Sequence, residues 1–218
     1  MSVWAIVAAA GRGDRLGLDR PKAFASLRGR PLLAESLERL DATDWIDAIV
    51  VAAPEGWEEP AILLAEELGC GKVSSCVTGG ATRAESVRLA LAEVPDEAAV
   101  VLVHDAARPL VTEETVARVL APLGEGWDGA VPGLPLADTV KRVQGEAVVE
   151  TVPREDLVAV QTPQAFVASV LRGASTGEAS DCAALVERAG GRVKVVPGDP
   201  RLLKVTEPAD LERVASWL

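Results

Sequence analysis

Hydrophobic and polar positions alternate along the first half of the chain in a way that predicts strands and helices in turn. Apolar, largely β-branched runs predict buried strands at positions 3–7, 47–53, 72–77 and 98–103. Between them, apolar residues at helical spacing predict helices over 31–40, 57–68 and 112–123, with another that runs up to Val94. This alternation predicts an α/β fold with a mostly parallel, twisted sheet flanked by helices.

The pattern changes after position 127, where short extended runs replace the helices. These runs occupy 129–134, 139–143, 147–152 and 157–161, and Gln144-Gly145-Glu146 predicts a hairpin turn between two of them. We interpret positions 133–162 as a β-arm inserted into the α/β body. Beyond it, the pattern predicts helices over 164–172 and 181–189, a strand over 192–196, and a strand from position 202 that enters a last helix near Pro208.

Length and composition fit one domain over residues 1–218. The chain is 49% hydrophobic and 25% charged, which is enough for one sizeable core. Its net charge of −11 disfavours nucleic acid and anionic membranes as partners. No apolar run reaches the ~20 residues that span a bilayer, and the first run lacks the basic region of a signal peptide, so we expect a cytoplasmic protein. Cys70, Cys76 and Cys182 share no metal-ligand spacing and are interpreted as reduced, mostly buried thiols.

The first predicted strand leads into a glycine-rich segment with four basic side chains, Arg12, Arg15, Arg20 and Lys22. Backbone N–H groups in such a loop can approach an anion closely. Because this basic segment lies in an acidic protein, it predicts a small polyanionic ligand, most simply a phosphate compound.

Two common glycine-rich loops do not fit this segment. The dinucleotide-binding pattern needs a third glycine where Leu16 stands, and the Walker loop needs Gly-Lys-Ser/Thr, whereas Lys22 follows Pro21. Pro21 has a fixed φ, so Lys22 is expected to be held in place. The remaining pattern, G-x-G-x-R-L followed by P-K, resembles the N-terminal motif of nucleotidyltransferases, although a plain strand-to-helix turn is the alternative.

Three further positions have a functional and a structural interpretation. Asp105 follows the strand at 98–103, at the sheet edge where ligands bind in parallel folds, and is a candidate Mg²⁺ ligand; alternatively it caps a turn beside a structural His104. Gly79-Gly80 precedes a helix and is either a plain loop or a site for a base or ribose. Lys204 is either a phosphate ligand or an edge residue with an extended side chain.

Six motifs carry a family resemblance: A-A-A-G-x-G-x-R-L with P-K, G-G-x-x-R-x-x-S-V, V-H-D-A-A-R-P, D-T-V-K-R, Q-T-P-Q-x-F and L-K-V-T-E-P-x-D-L. In this order, and over essentially the whole chain, they look like the 2-C-methyl-D-erythritol 4-phosphate cytidylyltransferase family of the non-mevalonate isoprenoid pathway. The resemblance implies a Rossmann-like fold, a reaction of CTP with methylerythritol phosphate that uses Mg²⁺, and a homodimer whose β-arms exchange.

The resemblance also implies a role for each matching residue. Arg15 and Lys22 match the family's residues that stabilise the transition state. Arg154 and Lys204, with Thr139 beside them, match the residues that position the polyol phosphate, and Asp105 matches the metal ligand. The residues that match the substrate pocket are Ala8, Ala9, Ala10, Gly11, Gly80, Ala81, Ser86, Asp105, Ala106, Arg108 and Thr206. An in-line attack of the polyol phosphate on the α-phosphorus needs no protein nucleophile, which agrees with a set made of cations and backbone amides.

The chain departs from the family pattern in three places. Ala81 stands where an acidic or polar residue is common, Ser180-Asp181-Cys182 replaces Thr-Asp-Asp, and the usual Asn two residues before Lys204 is missing. The cytosine contacts and the role of Asp181 therefore stay open. Two alternatives also stay open: a cytidylyltransferase for ribitol phosphate or another sugar phosphate, and a nucleotide-binding regulatory subunit without activity.

Overall fold

The computed structural model describes residues 2–17, 19–174 and 181–218. Ser180, part of one departing motif, lies outside these ranges. The strands are β1 (Val3–Ala8), β2 (Ser26–Leu27), β3 (Arg30–Pro31), β4 (Ala48–Ala53), β5 (Val73–Thr78), β6 (Val100–Asp105), β7 (Gly129–Pro135), β8 (Val140–Gln144), β9 (Ala147–Val152), β10 (Val158–Val160), β11 (Gln164–Val167) and β12 (Val193–Pro197).

The helices of the described ranges follow the predicted alternation. They are α1 (Leu32–Asp41), α2 (Glu58–Glu67), α3 (Arg83–Leu91), α4 (Glu113–Gly124), α5 (Ala168–Ala174), α6 (Cys182–Arg188) and α7 (Pro208–Ala215). Short 3₁₀ turns occupy Asp14–Leu16, Lys22–Phe24 and Pro200–Leu202. None of the described helices is long and apolar enough to cross a membrane.

One eight-stranded sheet forms the centre, in the order β10-β7-β11-β6-β1-β4-β5, with β12 also paired to β7. β1 runs parallel to its neighbours β4 and β6, as do β4 to β5 and β12 to β7, whereas β10 and β11 are antiparallel. The predicted fold class, a Rossmann-like and mostly parallel sheet flanked by helices, is confirmed.

Alternating strand residues bury both faces of the sheet. In β1, Ala5 and Val7 pack on one face with residues of α1, α2 and α4, while Ile6 packs on the other with residues of α3, α5 and α6. Such near-continuous apolar runs are typical of parallel strands that are covered on both sides. A third, smaller cluster surrounds α7.

The predicted helix over 164–172 is wrong at its start, where the chain forms β11 before α5. Phe166 is fully buried between β6 and β7 and lies opposite Val101 and Gly129. A Cβ at Gly129 would lie 2.5 Å from Cδ1 of Phe166, so the glycine makes room for the ring. β11 has only four residues, and its partner strands are distant in the sequence. Its hydrophobic pattern is therefore too short to predict a strand.

The predicted strand from position 202 is also wrong. Leu202 ends a 3₁₀ turn, and the next residues form an irregular segment whose Val205 N–H donates to the carbonyl of Ala107 at 2.8 Å. Leu202 and Val205 are fully buried against other elements, which gives the segment its apolar character without a sheet partner. The β2–β3 hairpin was not predicted; its turn places Arg28 and Gly29 at φ 50° and 86°.

The arm forms the hairpin that the sequence predicts. β8 and β9 pair only with each other, and the turn between them contains Gly145 at φ 59°. Every side chain over 141–151 is exposed. The exposed residues include Val143 and Val148, at 60% and 59% exposure, so an apolar surface on the hairpin faces away from the body of this chain.

Candidate active site

A pocket of about 810 Å³ lies beyond the carboxyl ends of the central strands. Its floor is the junction of β1 and β6, where Ala8 lies opposite Asp105. Strand order reverses at this point, since the chain passes from β1 to β4 and β5 on one side and then returns to β6 on the other. Of the predicted site residues, Ala8, Ala9, Ala10, Gly11, Arg15, Lys22, Gly80, Ala81, Ser86, Asp105, Ala106, Lys204 and Thr206 line the pocket.

The glycine-rich loop holds Lys22 beside the pocket, as Pro21 predicts. Lys22 begins a 3₁₀ turn after Pro21, and its N–H donates to the carbonyl of Gly11 at 3.2 Å. Gly13 adopts φ 80°, and a Cβ there would lie 2.8 Å from Cβ of Lys22. Only glycine therefore permits the loop to fold this closely over the lysine. The turn is secured by Phe24, whose ring centroid lies 4.5 Å from that of Trp57.

The Lys22 ammonium lies among other cations. Burial, together with the nearby Lys204 and Arg15, lowers its pKa from the ordinary value. A cation whose charge is disfavoured in this way gains stability when an anion binds next to it. An anion bound beside this loop would relieve that repulsion; that the anion is a phosphate group stays a prediction from the sequence.

Asp105 is the buried carboxylate of this pocket, and each of its two oxygens accepts a hydrogen bond from one cation. Its Oδ1 accepts from Nε of Arg83 at 2.7 Å, and its Oδ2 accepts from Nζ of Lys204 at 2.8 Å. Burial alone would raise the pKa of Asp105, but Arg83 and Lys204 overcome it and hold the pKa well below its usual range. The side chain is therefore ionised and bonds to cations rather than capping the following turn.

Positive charge exceeds negative charge around this carboxylate. Arg108 adds a third cation, with Nε 4.0 Å from Oδ2 of Asp105 and Nη1 donating to the carbonyl of Leu202 at 2.6 Å. Within the described residues, buried Nη2 of Arg83 and Nε of Arg108 have no hydrogen-bond partner. One carboxylate thus faces three cations, which leaves a charge that an anionic ligand can balance.

Arg83 is a pocket residue that the candidate set missed. It is the first residue of α3, and its Nη1 lies 3.7 Å from Sγ of Cys182 on α6. Burial raises the pKa of the Cys182 thiol, so the arginine has a neutral partner there and a charged one in Asp105. An arginine in the first turn opposes the helix dipole, and that unfavourable position was the local signal of a function.

The turn between β5 and α3 closes the opposite side of the pocket. Ser86 Oγ accepts from the N–H of Gly80 at 3.1 Å and donates to the carbonyl of Thr82 at 2.8 Å. A Cβ at Gly79 would lie 2.3 Å from Cβ of Ala10, so this glycine lets the two loops touch. At position 81, where the chain departs from the family pattern, the N–H of Ala81 donates to Oε2 of Glu85 at 2.8 Å and adds a further hydrogen bond within this turn.

His104 has the structural role that the sequence analysis assigns to it. Its Nε2 lies 3.0 Å from the carbonyl of Arg108, and its Nδ1 lies 3.2 Å from Oγ1 of Thr162. Thr162 Oγ1 in turn accepts from the N–H of Asp105 at 3.0 Å. The fully buried imidazole therefore links the end of β6 to the segment that returns from the arm.

Three predicted site residues do not line the pocket. Arg108 is half-buried and contacts Asp105 and Leu202 without lining the pocket. Thr139 and Arg154 are exposed on the arm, where Nη1 of Arg154 donates to the carbonyl of Ala137. Asp181, whose role the sequence left open, caps α6 by accepting from the N–H of Ala184 at 3.0 Å. This single chain therefore does not bring the arm residues to its own pocket.

A mostly parallel sheet with a glycine-rich, cation-lined pocket at its switch point is the arrangement of an α/β nucleotide-binding protein. Residues 3–218 match the family model described as IspD, 2-C-methyl-D-erythritol 4-phosphate cytidylyltransferase. The chain belongs to this family, and the resemblance drawn from its motifs is confirmed.

Relatives that carry the same name support this membership over the full length. The Nocardia farcinica protein is 46% identical over 220 residues, covering 100% of this chain and 94% of the relative. The Saccharopolyspora erythraea protein is 48% identical over 219 residues, with 97% and 96% covered. The crystal structure of the Thermus thermophilus enzyme superposes with a TM-score of 0.79 at 36% identity, covering 100% of this chain and 98% of that one.

We predict that His104 stays neutral down to about pH 5. Burial lowers its pKa to about 4, whereas the unfolded chain has the ordinary value of about 6.5. Between these values the unfolded state binds more protons, so stability falls as the pH drops from about 6.5 to about 4, by on the order of 3 kcal/mol. Urea unfolding of the wild type and His104→Gln at a series of pH values isolates this contribution.

NMR gives an independent check, because this is the single histidine of the sequence. In untagged protein, the imidazole signals are expected to keep their neutral positions above pH 5. A ring that titrates near pH 6.5 in the folded state would contradict the structural role.

Proposed function

We propose that the chain transfers a cytidylyl group from CTP to 2-C-methyl-D-erythritol 4-phosphate, giving 4-diphosphocytidyl-2-C-methyl-D-erythritol and pyrophosphate. The observation that carries this proposal is the excess of cations around Asp105 in a pocket lined by the family's motif residues. Two phosphorylated substrates must meet in one place, and like charges ~4 Å apart repel by several kcal/mol at an effective dielectric near 20. A strongly cationic pocket offsets that repulsion.

The proposed reaction is one in-line displacement without a protein nucleophile. A phosphate oxygen of the polyol phosphate bonds to the α-phosphorus, the bond from that phosphorus to the β-phosphate oxygen breaks, and pyrophosphate leaves. In this mechanism Arg15 and Lys22 stabilise the charge that develops on the phosphates. Lys204 positions the acceptor phosphate, together with Thr139 and Arg154 of the partner subunit.

The pocket is suited to a Mg²⁺ ion held jointly by protein and nucleotide. Mg²⁺ commonly takes one or two carboxylate oxygens and fills its other positions with phosphate oxygens and water. Among the described residues there is no group of three His, Cys, Asp or Glu side chains that could hold a metal alone. Asp105 is ionised, and each of its oxygens accepts from one cation, so further lone pairs stay available. When bound, the ion neutralises phosphate charge.

We further propose a homodimer in which each arm completes the partner's pocket. Thr139 and Arg154 lie outside the pocket of their own chain, and Val143 and Val148 expose apolar surface on the hairpin. A two-stranded hairpin is only marginally stable without a covering surface. A second copy of the chain related by two-fold symmetry provides that cover and brings the arm residues to an active site.

A cytoplasmic location accompanies this function in the proposal. Cys70, Cys76 and Cys182 are free, and burial raises the pKa of Cys70 and Cys76 to about 11. Free cysteines without disulfides are typical of reducing compartments.

The function is tested by a panel of acceptors with CTP. Pyrophosphate release is expected with methylerythritol phosphate and not with ribitol phosphate. Release with ribitol phosphate alone would assign the alternative cytidylyltransferase, and no release with any acceptor would favour a regulatory subunit.

We predict that Lys22→Ala lowers kcat at least ~10²-fold while the protein stays folded, because one preorganised charge donor is lost. Steady-state kinetics and circular dichroism measure the two effects. Lys194→Ala, which removes a surface ammonium paired to Glu125, is the matched control and should leave kcat unchanged. A kcat within a few-fold of wild type for Lys22→Ala would make the loop structural.

We predict that Asp105→Asn raises the Mg²⁺ concentration needed for half-maximal rate and weakens CTP binding, because the metal and the cations share this carboxylate. A Mg²⁺ titration of activity and calorimetry of CTP binding measure the two effects. Asp44→Asn, at an exposed position, is the control. An unchanged Mg²⁺ titration combined with a lower Tm would show that Asp105 has only a structural role.

We predict that Lys22→Ala and Arg154→Ala chains complement each other. In a mixed dimer with shared sites, one site carries both changes and the other carries neither. With about half of the dimers mixed, roughly a quarter of wild-type activity should return from two nearly inactive parents. A mixture of Lys22→Ala with Arg15→Ala is the control, because both residues belong to the same side of the site and every site stays defective.

Mass spectrometry of the mixed population shows whether heterodimers have formed. If they form and the Lys22→Ala and Arg154→Ala mixture stays inactive, the shared site is wrong.

A further inference from the structure

Leu16 is the one buried residue among the described residues of positions 11–20. Its side chain is 6% exposed, while the adjacent Arg15 and Gly17 are exposed. In the motif of the loop, this leucine occupies the position that excluded a dinucleotide-binding pattern, and nothing in the proposed chemistry uses it. An apolar side chain in a phosphate loop needs a different explanation.

The side chain of Leu16 belongs to the small hydrophobic cluster around α7, which we call the α7 cluster. Its buried members are Leu16, Ala25, Leu27, Leu32, Leu110, Val205 and Val214, and Leu203, Leu211, Ala215 and Trp217 pack against it. Three of the buried members neighbour the proposed phosphate-binding cations. Leu16 follows Arg15, Ala25 ends the turn of Lys22, and Val205 follows Lys204.

The helix α7 is itself tied to the Lys204 segment. Oδ2 of Asp210, in its first turn, accepts from the N–H of Thr206 at 2.8 Å and from the N–H of Glu207 at 2.9 Å. On the opposite side, Val205 N–H donates to the carbonyl of Ala107, next to the end of β6. The α7 cluster therefore rests on a segment that is fixed to the central sheet.

Arg15 has no comparable support of its own. Within the described part of the chain, its guanidinium has no hydrogen-bond or ion-pair partner, and the 3₁₀ turn that carries it lies between Gly13 at φ 80° and Gly17 at φ 63°. Glycines on both sides give the backbone freedom to swing. The remaining side-chain anchor of this turn is Leu16.

We propose that Leu16 is a positioning residue, whose packing in the α7 cluster fixes Arg15 at the phosphate site; this inference rests on the proposed function. A charge stabilises a transition state most when it is held in place before the reaction, and a displacement of about 1 Å can cost on the order of 10²-fold in rate. The α7 cluster thus holds Arg15, Lys22 and Lys204, which come from separate parts of the sequence, in place through one apolar contact region.

A double-mutant cycle tests this role. Leu16→Ala is expected to lower kcat about tenfold or more with a smaller change in KM for CTP, whereas Leu16→Ala added to Arg15→Ala should cost little further, because the arginine that it positions is already gone. Leu123→Ala, at 8% exposure on α4, is the matched control for losing a buried leucine. It should leave kcat unchanged and act independently of Arg15→Ala. Leu16→Met, which keeps the apolar volume, should restore most of the rate.

Limited trypsin digestion tests whether Leu16 holds the loop in place, and it needs no substrate. Arg12 and Arg15 are cleavage sites within the loop, and Leu16→Ala should raise their cleavage rate at least ~tenfold in protein that circular dichroism shows to be folded. Leu123→Ala and Leu16→Met should keep the wild-type rate. Because this measurement needs no turnover, it separates failure of the anchor from failure of the proposed function.

Unchanged cleavage in Leu16→Ala overturns the anchor, and independent effects of Leu16→Ala and Arg15→Ala on kcat overturn the positioning role. A wild-type protein that makes no product from CTP and methylerythritol phosphate overturns the proposed function and with it the catalytic part of the inference, whatever the digestion shows.

Discussion

The site depends on one buried carboxylate held between cations. Asp105 joins Arg83 from the start of α3 to Lys204, which is 99 residues away in the sequence, and both contacts are shorter than 3 Å. Without the carboxylate these two cations, Arg83 largely buried and Lys204 partly exposed, would repel each other. With it they converge, but one negative charge does not balance Arg83, Arg108 and Lys204. In the proposed function, the phosphates of the substrates supply the missing negative charge.

Much of this arrangement follows from local sequence. An apolar strand that runs directly into Asp105 places the carboxylate at the ligand-binding edge of a parallel sheet. The pattern from Gly11 to Lys22 places a cation-rich loop at the same edge, after another strand. Pro21 predicts that Lys22 is held, and the 3₁₀ turn confirms it. These features depend on residues that are close in the sequence, which is why they can be predicted.

The features that were missed or misassigned depend on distant partners. β11 forms a strand because Phe166 fits the space over Gly129, and the Lys204 segment is irregular because it attaches to Ala107 instead of a strand. Arg83 gains its role only through contacts with Asp105 and Cys182. None of these pairings leaves a periodic signal, so the hydrophobic pattern cannot reveal them. For Arg83 the one local sign is its unfavourable place in the first turn of α3. The arm is the intermediate case: its hairpin was predicted, while its place in a dimer stays a proposal.

In the proposed reaction, this pocket joins the intact phosphate of the polyol to the α-phosphorus of CTP. The most direct test supplies methylerythritol phosphate, labelled with a heavy oxygen isotope in its phosphate, together with a mixture of the four common nucleoside triphosphates and Mg²⁺. Mass spectrometry is expected to show 4-diphosphocytidyl-2-C-methyl-D-erythritol that retains all of the label, together with unlabelled pyrophosphate. Labelled pyrophosphate, or a product that carries another base, would contradict the account.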